Sequence, residues 1–315
     1  YAPNIFQDNL GGTYHSHAYT SSIINACWLT PYSQDLESLY GHYAILYMPL
    51  LKTMHKLCHI DYLTGIFIVT ACLAGISILL FAYVLNNFAR HDIIYYLALL
   101  GIGEYYFMLM RDGVYIQVHP HRMIFPILLA ALAIYECRTG KKLTVLSIII
   151  LSLSFVWSSE IGLVTLLAFS LYRFADTAMD GQPFHLKKIL ILLKSLLIYA
   201  LLPFGIAWLI INGYNLIAGG KILEFSEFMF PLISDRDYID GIEMPLPDIT
   251  HPWAAAAVIF LIFVTLYLIP FLFSKEKDKK YPLFFFFGIT GLGLMLYYIN
   301  RAVEGGMFIS MYFML

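Results

Sequence analysis

The sequence predicts an all-α polytopic membrane protein, and three observations carry that expectation. The 315-residue chain is 60% hydrophobic and 13% charged, whereas soluble domains run at about 45–50% apolar and about 25% charged. Apolar runs of about 20 residues, the length that crosses a bilayer, recur from end to end. The lysines and arginines also alternate between successive connections, with twelve of the 19 on one side, as expected when cytoplasmic loops gather positive charge. A net charge of −2 with no basic patch gives a nucleic-acid partner nothing to hold.

Taken in order, residues 1–60 read as an extracytoplasmic first loop with interfacial helices. Its glycine-flanked "QDNLGGTYHSHAY" should lead into a helix near Tyr14, with Thr13 as the N-cap. "AILYMPLLKTMHKL", from Ala44 to Leu57, is apolar but short, is broken by Pro49 and carries Lys52 and Lys56. Such a segment lies at the interface rather than spanning the bilayer. Residues 61–315 then form a helical bundle, with spans expected at 62–88, 93–110, 123–137, 189–211, 253–273 and 281–299, and another from Met307. Two shorter apolar segments, 143–157 and 161–174, pinch around "WSSE". The chain opens in a polar stretch and stops within "GGMFISMYFML". That is the expected look of the interior of a longer protein, with a membrane helix before Tyr1.

The charge bias turns residues 1–60 away from the cytoplasm. The cytoplasmic connections hold Arg90, the group Arg138, Lys141 and Lys142, then Arg173, Lys187 and Lys188, and finally "SKEKDKK". These look short and chemically bland. The outward segments, including loops at 111–122, 157–160, 212–252 and 300–306, hold 14 of the 21 acidic residues, so an outer-face site is the simplest expectation. Cys27 and Cys58 could form a disulfide if both face an oxidising compartment.

Several residues carry chemistry. Asp8 can serve as a general base at the membrane surface, although aspartate is also a common turn-former. His15 and His17, and likewise His119 and His121 in "VHPHR", suggest metal pairs only on extended backbone. On a helix, residues two apart lie about 200° around the axis, which separates His15 from His17, whereas Pro120 favours an extended backbone that puts His119 and His121 on a shared side. Phosphate or hydroxyl partners are the simpler expectation for both pairs. Arg111, Arg122 and Arg301 stand at outer ends of expected spans, where a planar fork binds phosphate and where arginines also snorkel. Glu104 lies within an expected span and Glu160 at the base of an outer cavity; an intramembrane carboxylate demands a polar interior or a hydrogen bond to a neighbouring helix. Tyr40, Tyr43 and Tyr47 recur at helical spacing and suit packing more readily than stacking on a sugar.

An acidic first outward loop followed by the surface helix "SLYGHYAILYMPLL" resembles the GT-C superfamily of integral-membrane glycosyltransferases, of the dolichyl-phosphate-mannose protein mannosyltransferase type. "HRMIFPILLAAL", "WSSEIGL", "MPLPDITHPW" and "YYINRAVEGG" add to the likeness. It implies a bundle of about 9–11 transmembrane helices, each of about 20 residues. It also implies a polyprenyl-phosphate-linked sugar donor, a hydroxyl-bearing acceptor (glycan, lipid or protein) and an active site on the extracytoplasmic side of a bacterial inner membrane. On that resemblance Asp8 is the catalytic base. His15, His17, His42, Glu104, Arg111, His119, His121, Arg122, Glu160 and Arg301 form the substrate-binding set. Many members carry two adjacent acids where this chain has Gln7-Asp8-Asn9, which disfavours a divalent cation and favours a lone base. Two other classes share these features: a transporter or flippase of a lipid-linked or anionic solute, and a surface-polysaccharide polymerase or ligase.

Overall fold

A computed structural model describes residues 10–32, 40–88, 91–111, 120–179, 186–229, 250, 252–273 and 280–300. The described residues are helical, with no strand among them. The helices are α1 (Leu10–Cys27), α2 (Ala44–Cys58), α3 (Tyr62–Phe88), α4 (Asp92–Arg111), α5 (Ile124–Thr139), α6 (Thr144–Trp157) and α7 (Ser159–Ala178). They continue as α8 (Leu186–Leu196), α9 (Leu202–Ile217), the single turn α10 (Phe225–Phe228), α11 (Pro252–Phe273) and α12 (Lys280–Asn300). A π-helical segment, Leu197–Leu201, joins α8 to α9.

Four helical stretches are long and apolar enough to cross a membrane: Tyr62–Asn87, Ser159–Ala178, Leu186–Ile217 and Trp253–Phe273. The described residues therefore form an all-helical structure in which four segments are long and apolar enough to span a membrane, as an all-α membrane protein requires. Every apolar segment expected between residues 62 and 299 is helical, but several boundaries move. The second of the two short segments is a full 20-residue helix from Ser159. The segment expected at 189–211 runs through Ile217, so the loop expected from residue 212 begins later. α1 starts at Leu10, which places Thr13 inside the helix instead of at its cap.

The chain divides into two compact units, Tyr1–Leu128 with Phe155–Glu160 and Ala207–Arg236, and the remainder. In the first, α2 behaves as its composition demands. Ala44, Tyr47 and Leu51 are buried on one face while Leu50 and Leu57 stay exposed, giving a 15-residue helix that is amphipathic and too short to span. The end of α9 is stitched to the segment after α1. Tyr214 donates to the Thr30 carbonyl at 2.8 Å, and Asn215 Oδ1 accepts the Tyr32 N–H at 2.8 Å.

In the second unit α11 and α12 pack closely because glycines remove side-chain bulk. A Cβ on Gly288 would lie 2.7 Å from the Phe260 carbonyl oxygen, and one on Gly291 would lie 2.4 Å from the Phe260 ring. Such small-residue contacts are the usual means by which apolar helices approach within lipid.

Candidate functional site

In the first unit the loop before α2, the turn before α5 and the break between α6 and α7 meet around a buried aromatic cluster. Tyr19 stacks on Tyr43 with centroids 4.4 Å apart, and Tyr47 stacks on Trp157 at 5.3 Å. His121 stands edge-on to Tyr43 at 4.7 Å. Trp157 Nε1 donates to the His121 carbonyl at 2.7 Å. That bond ties the segment carrying Arg122 to the one carrying Glu160. All five rings are buried, so the cluster is a packed support and not an open sugar platform.

Two histidines anchor the same loop. His121 Nε2 faces the Tyr40 carbonyl at 3.1 Å, which fixes the proton on that nitrogen, and Nδ1 accepts from the Tyr19 hydroxyl at 3.2 Å. His42 repeats the pattern, with Nε2 donating to the Phe228 carbonyl at 2.9 Å and Nδ1 accepting from Tyr32 at 3.0 Å. Burial, opposed by the Phe228 carbonyl, lowers His42 to about 4. Burial and then the Arg122 charge lower His121 to about 3. Both rings are neutral with both nitrogens engaged, so they hold the loop in place and offer a phosphate no free donor. Burial likewise raises the Tyr19 and Tyr43 hydroxyls, which stay protonated.

Gly41 explains how the loop fits. Its φ of +121° is one that side-chain-bearing residues rarely adopt. A Cβ there would meet the Trp157 carbonyl oxygen at 2.5 Å and Ser158 Cα at 2.7 Å.

Against this support sits an ion pair. Arg122, with 3% of its side chain exposed, reaches Glu160 Oε2 at 3.5 Å and lies over the Tyr40 ring at 5.4 Å; the Glu160 side chain is 24% exposed. Charge-assisted contacts normally close to about 2.7–2.9 Å, so this pair is long and weak. On the two residues that precede Glu160 in the chain, Ser158 and Ser159 are buried hydroxyls with no hydrogen-bond partner among the described residues, an arrangement native proteins rarely leave unfilled. A guanidinium, a partly accessible carboxylate and two unsatisfied hydroxyls can together receive an anionic, hydroxyl-rich ligand.

Of the residues expected in the site, His42, His121, Arg122 and Glu160 come together here. Glu104 does not lie in a polar interior; it is exposed on α4. Positions 15 and 17 both fall on α1, about 200° apart around its axis, so they do not form a metal pair on a shared face. His17 is exposed. Asp8, His119 and Arg301 lie outside the described residues, as do the side chains of His15 and Arg111. Cys27 and Cys58 are both free thiols, one buried and one exposed, and form no disulfide. Trp157, Ser158 and Ser159 stand in the pinched "WSSE" segment without having been singled out, since only the fold shows that their ring and hydroxyls are buried.

Comparison of the chain with protein-family models, with curated proteins and with solved structures gave no match.

Proposed function

We propose that this protein is a membrane glycosyltransferase that moves a sugar from a polyprenyl-phosphate donor to a hydroxyl acceptor on the extracytoplasmic face. The observation that carries the reading is the Arg122–Glu160 pair, long at 3.5 Å, with the unpartnered buried hydroxyls of Ser158 and Ser159 on the two residues before Glu160. A phosphate entering there exchanges one carboxylate oxygen for a better anion, while the serines pair with phosphate or sugar oxygens. The donor's polyprenyl chain stays in lipid, which suits a site on membrane helices.

In this mechanism the acceptor oxygen attacks the anomeric carbon and its proton passes to the Asp8 carboxylate. The bond from that carbon to the phosphate oxygen breaks, and polyprenyl phosphate leaves with its negative charge neutralised by Arg122. One displacement with one base inverts the anomeric configuration. Asp8 stands two residues before α1 in the sequence, and α1 carries Tyr19 into the cluster that supports Arg122.

The test uses the full chain in nanodiscs with a panel of polyprenyl-phosphate sugars and a hydroxyl acceptor, following release of free polyprenyl phosphate. Wild type should release it from at least one donor, and Asp8→Asn should lose at least a hundredfold in rate, within the range typical of a general base. An active Asp8→Asn variant removes the base assignment. A folded wild type that releases nothing from any donor favours transport of a lipid-linked solute.

A further inference from the structure

A second site lies in the other unit, at the lysine-rich end that seemed bland in sequence. A cavity of about 270 Å³ opens there between the start of α6, the last turns of α7 and the end of α8. That is just under the range of about 300–1,000 Å³ typical of small-molecule sites, so it fits a headgroup rather than a whole lipid. Lys142, Arg173 and Lys194 line it with Asp176, Ser195 and Tyr199.

The charges are not all neutralised. Lys142 pairs with Asp176. Arg173, buried, donates to Glu136 Oε1 at 2.7 Å and to Ser147 Oγ at 3.0 Å, with its guanidinium 4.9 Å from the Tyr199 ring centroid. Three cations thus face two carboxylates, and the exposed Lys194 is the surplus. Tyr199 belongs to the π-helical segment and shares a 3.3 Å hydrogen bond with Thr144. A π-turn inserts an extra residue and shifts the helix register, and such turns concentrate at functional sites. Here the altered turn supplies the aromatic wall of a basic cavity. Along the same helical stretch Leu190, Leu193 and Leu197 are exposed, so an acyl chain can lie against apolar side chains while its headgroup reaches Lys194.

We propose that this cavity binds the phosphate of an anionic membrane phospholipid, in the leaflet that faces the cytoplasm. Basic pockets between membrane helices on that side are suited to such headgroups, and the surplus cation selects net-negative lipids over zwitterionic ones. The site is independent of the outward one: a protein that proves to be a transporter would keep it.

The test is native mass spectrometry of the full chain with phosphatidylglycerol, phosphatidylcholine or inorganic phosphate, using wild type, Lys194→Gln and Lys187→Gln. Lys187 is exposed on α8 but does not line the cavity. Phosphatidylglycerol should be retained over phosphatidylcholine. Lys194→Gln should weaken that retention about fivefold, the value of one lysine near an anionic lipid, while Lys187→Gln leaves it unchanged. Equal loss in both variants, or no preference between lipids, would overturn the proposal by reducing the effect to general surface charge. Displacement of the lipid by millimolar inorganic phosphate would overturn it in favour of a soluble phosphate ester.

Discussion

His42 and His121 are the residues whose chemistry the fold changes most. Each ring donates from Nε2 to a backbone carbonyl and accepts at Nδ1 from a tyrosine, so protonating Nδ1 breaks a buried bond. Their values of about 4 and about 3 lie below the ordinary 6.5. The unfolded chain therefore binds more protons than the native one between those limits, and stability rises with pH across that window. It is fully present above about pH 6.5 and is lost progressively as pH falls towards the folded values. The thermal midpoint should drop between pH 7 and pH 4.5, and His42→Gln should flatten that slope; an unchanged slope contradicts the neutral-ring assignment. In the sequence His121 belongs to a pair suited to phosphate or hydroxyl partners, and His42 enters only through the substrate-binding set that the GT-C resemblance implies. Their actual partners, Tyr19 and the carbonyls of Tyr40 and Phe228, are 81 to 186 residues away for three of the four bonds or contacts that matter, and no local pattern encodes such pairings.

At the scale of the element, the loop 40–43 and the α6–α7 break behave as one joint. Gly41 permits it through its positive φ and its missing Cβ. Gly41→Ala should cost about 1–3 kcal/mol from backbone strain alone, and its Cβ clash with the Trp157 carbonyl should add to that. The cost would appear as a lower thermal midpoint; a variant as stable as wild type would mean that the loop does not seat there. Helix existence was legible throughout, because long apolar runs force helical hydrogen bonding in a bilayer. Boundaries were less so. α1 extends past its expected cap at Thr13 to Leu10, a glycine pair having been read as loop. Nor does anything in "LIYAL" distinguish a π-turn from a continuous helix.

For the whole molecule, the charge bias makes a prediction independent of any chemistry: the end of the bundle near Lys142 faces the cytoplasm and α2 faces away from it. In a background without the four native cysteines, a membrane-impermeant maleimide should label Lys52→Cys in intact cells and label Lys142→Cys only after lysis. The reverse pattern would invert the topology and remove the outward site. Membrane character was plain from composition. Four of the outer-site residues were recognisable by type, because charge and imidazole are conspicuous in so apolar a chain. The cavity lined by Lys142, Arg173 and Lys194 has no local signature, because Arg173, Glu136 and Tyr199 are 26 to 63 residues apart in the chain and acquire meaning only where the helices pack.

The central claim is that Arg122 receives the phosphate of a lipid-linked donor in competition with Glu160. Its most direct test is equilibrium binding of polyprenyl phosphate to wild type, Arg122→Gln and Glu160→Gln in nanodiscs. The account predicts that Arg122→Gln binds roughly tenfold to a hundredfold more weakly, the value of a hydrogen bond to a charged group. Glu160→Gln, which removes the competing carboxylate charge while keeping the side chain's shape, should bind more tightly than wild type. Unchanged or weaker binding by Glu160→Gln, with Arg122→Gln indistinguishable from wild type, would contradict it.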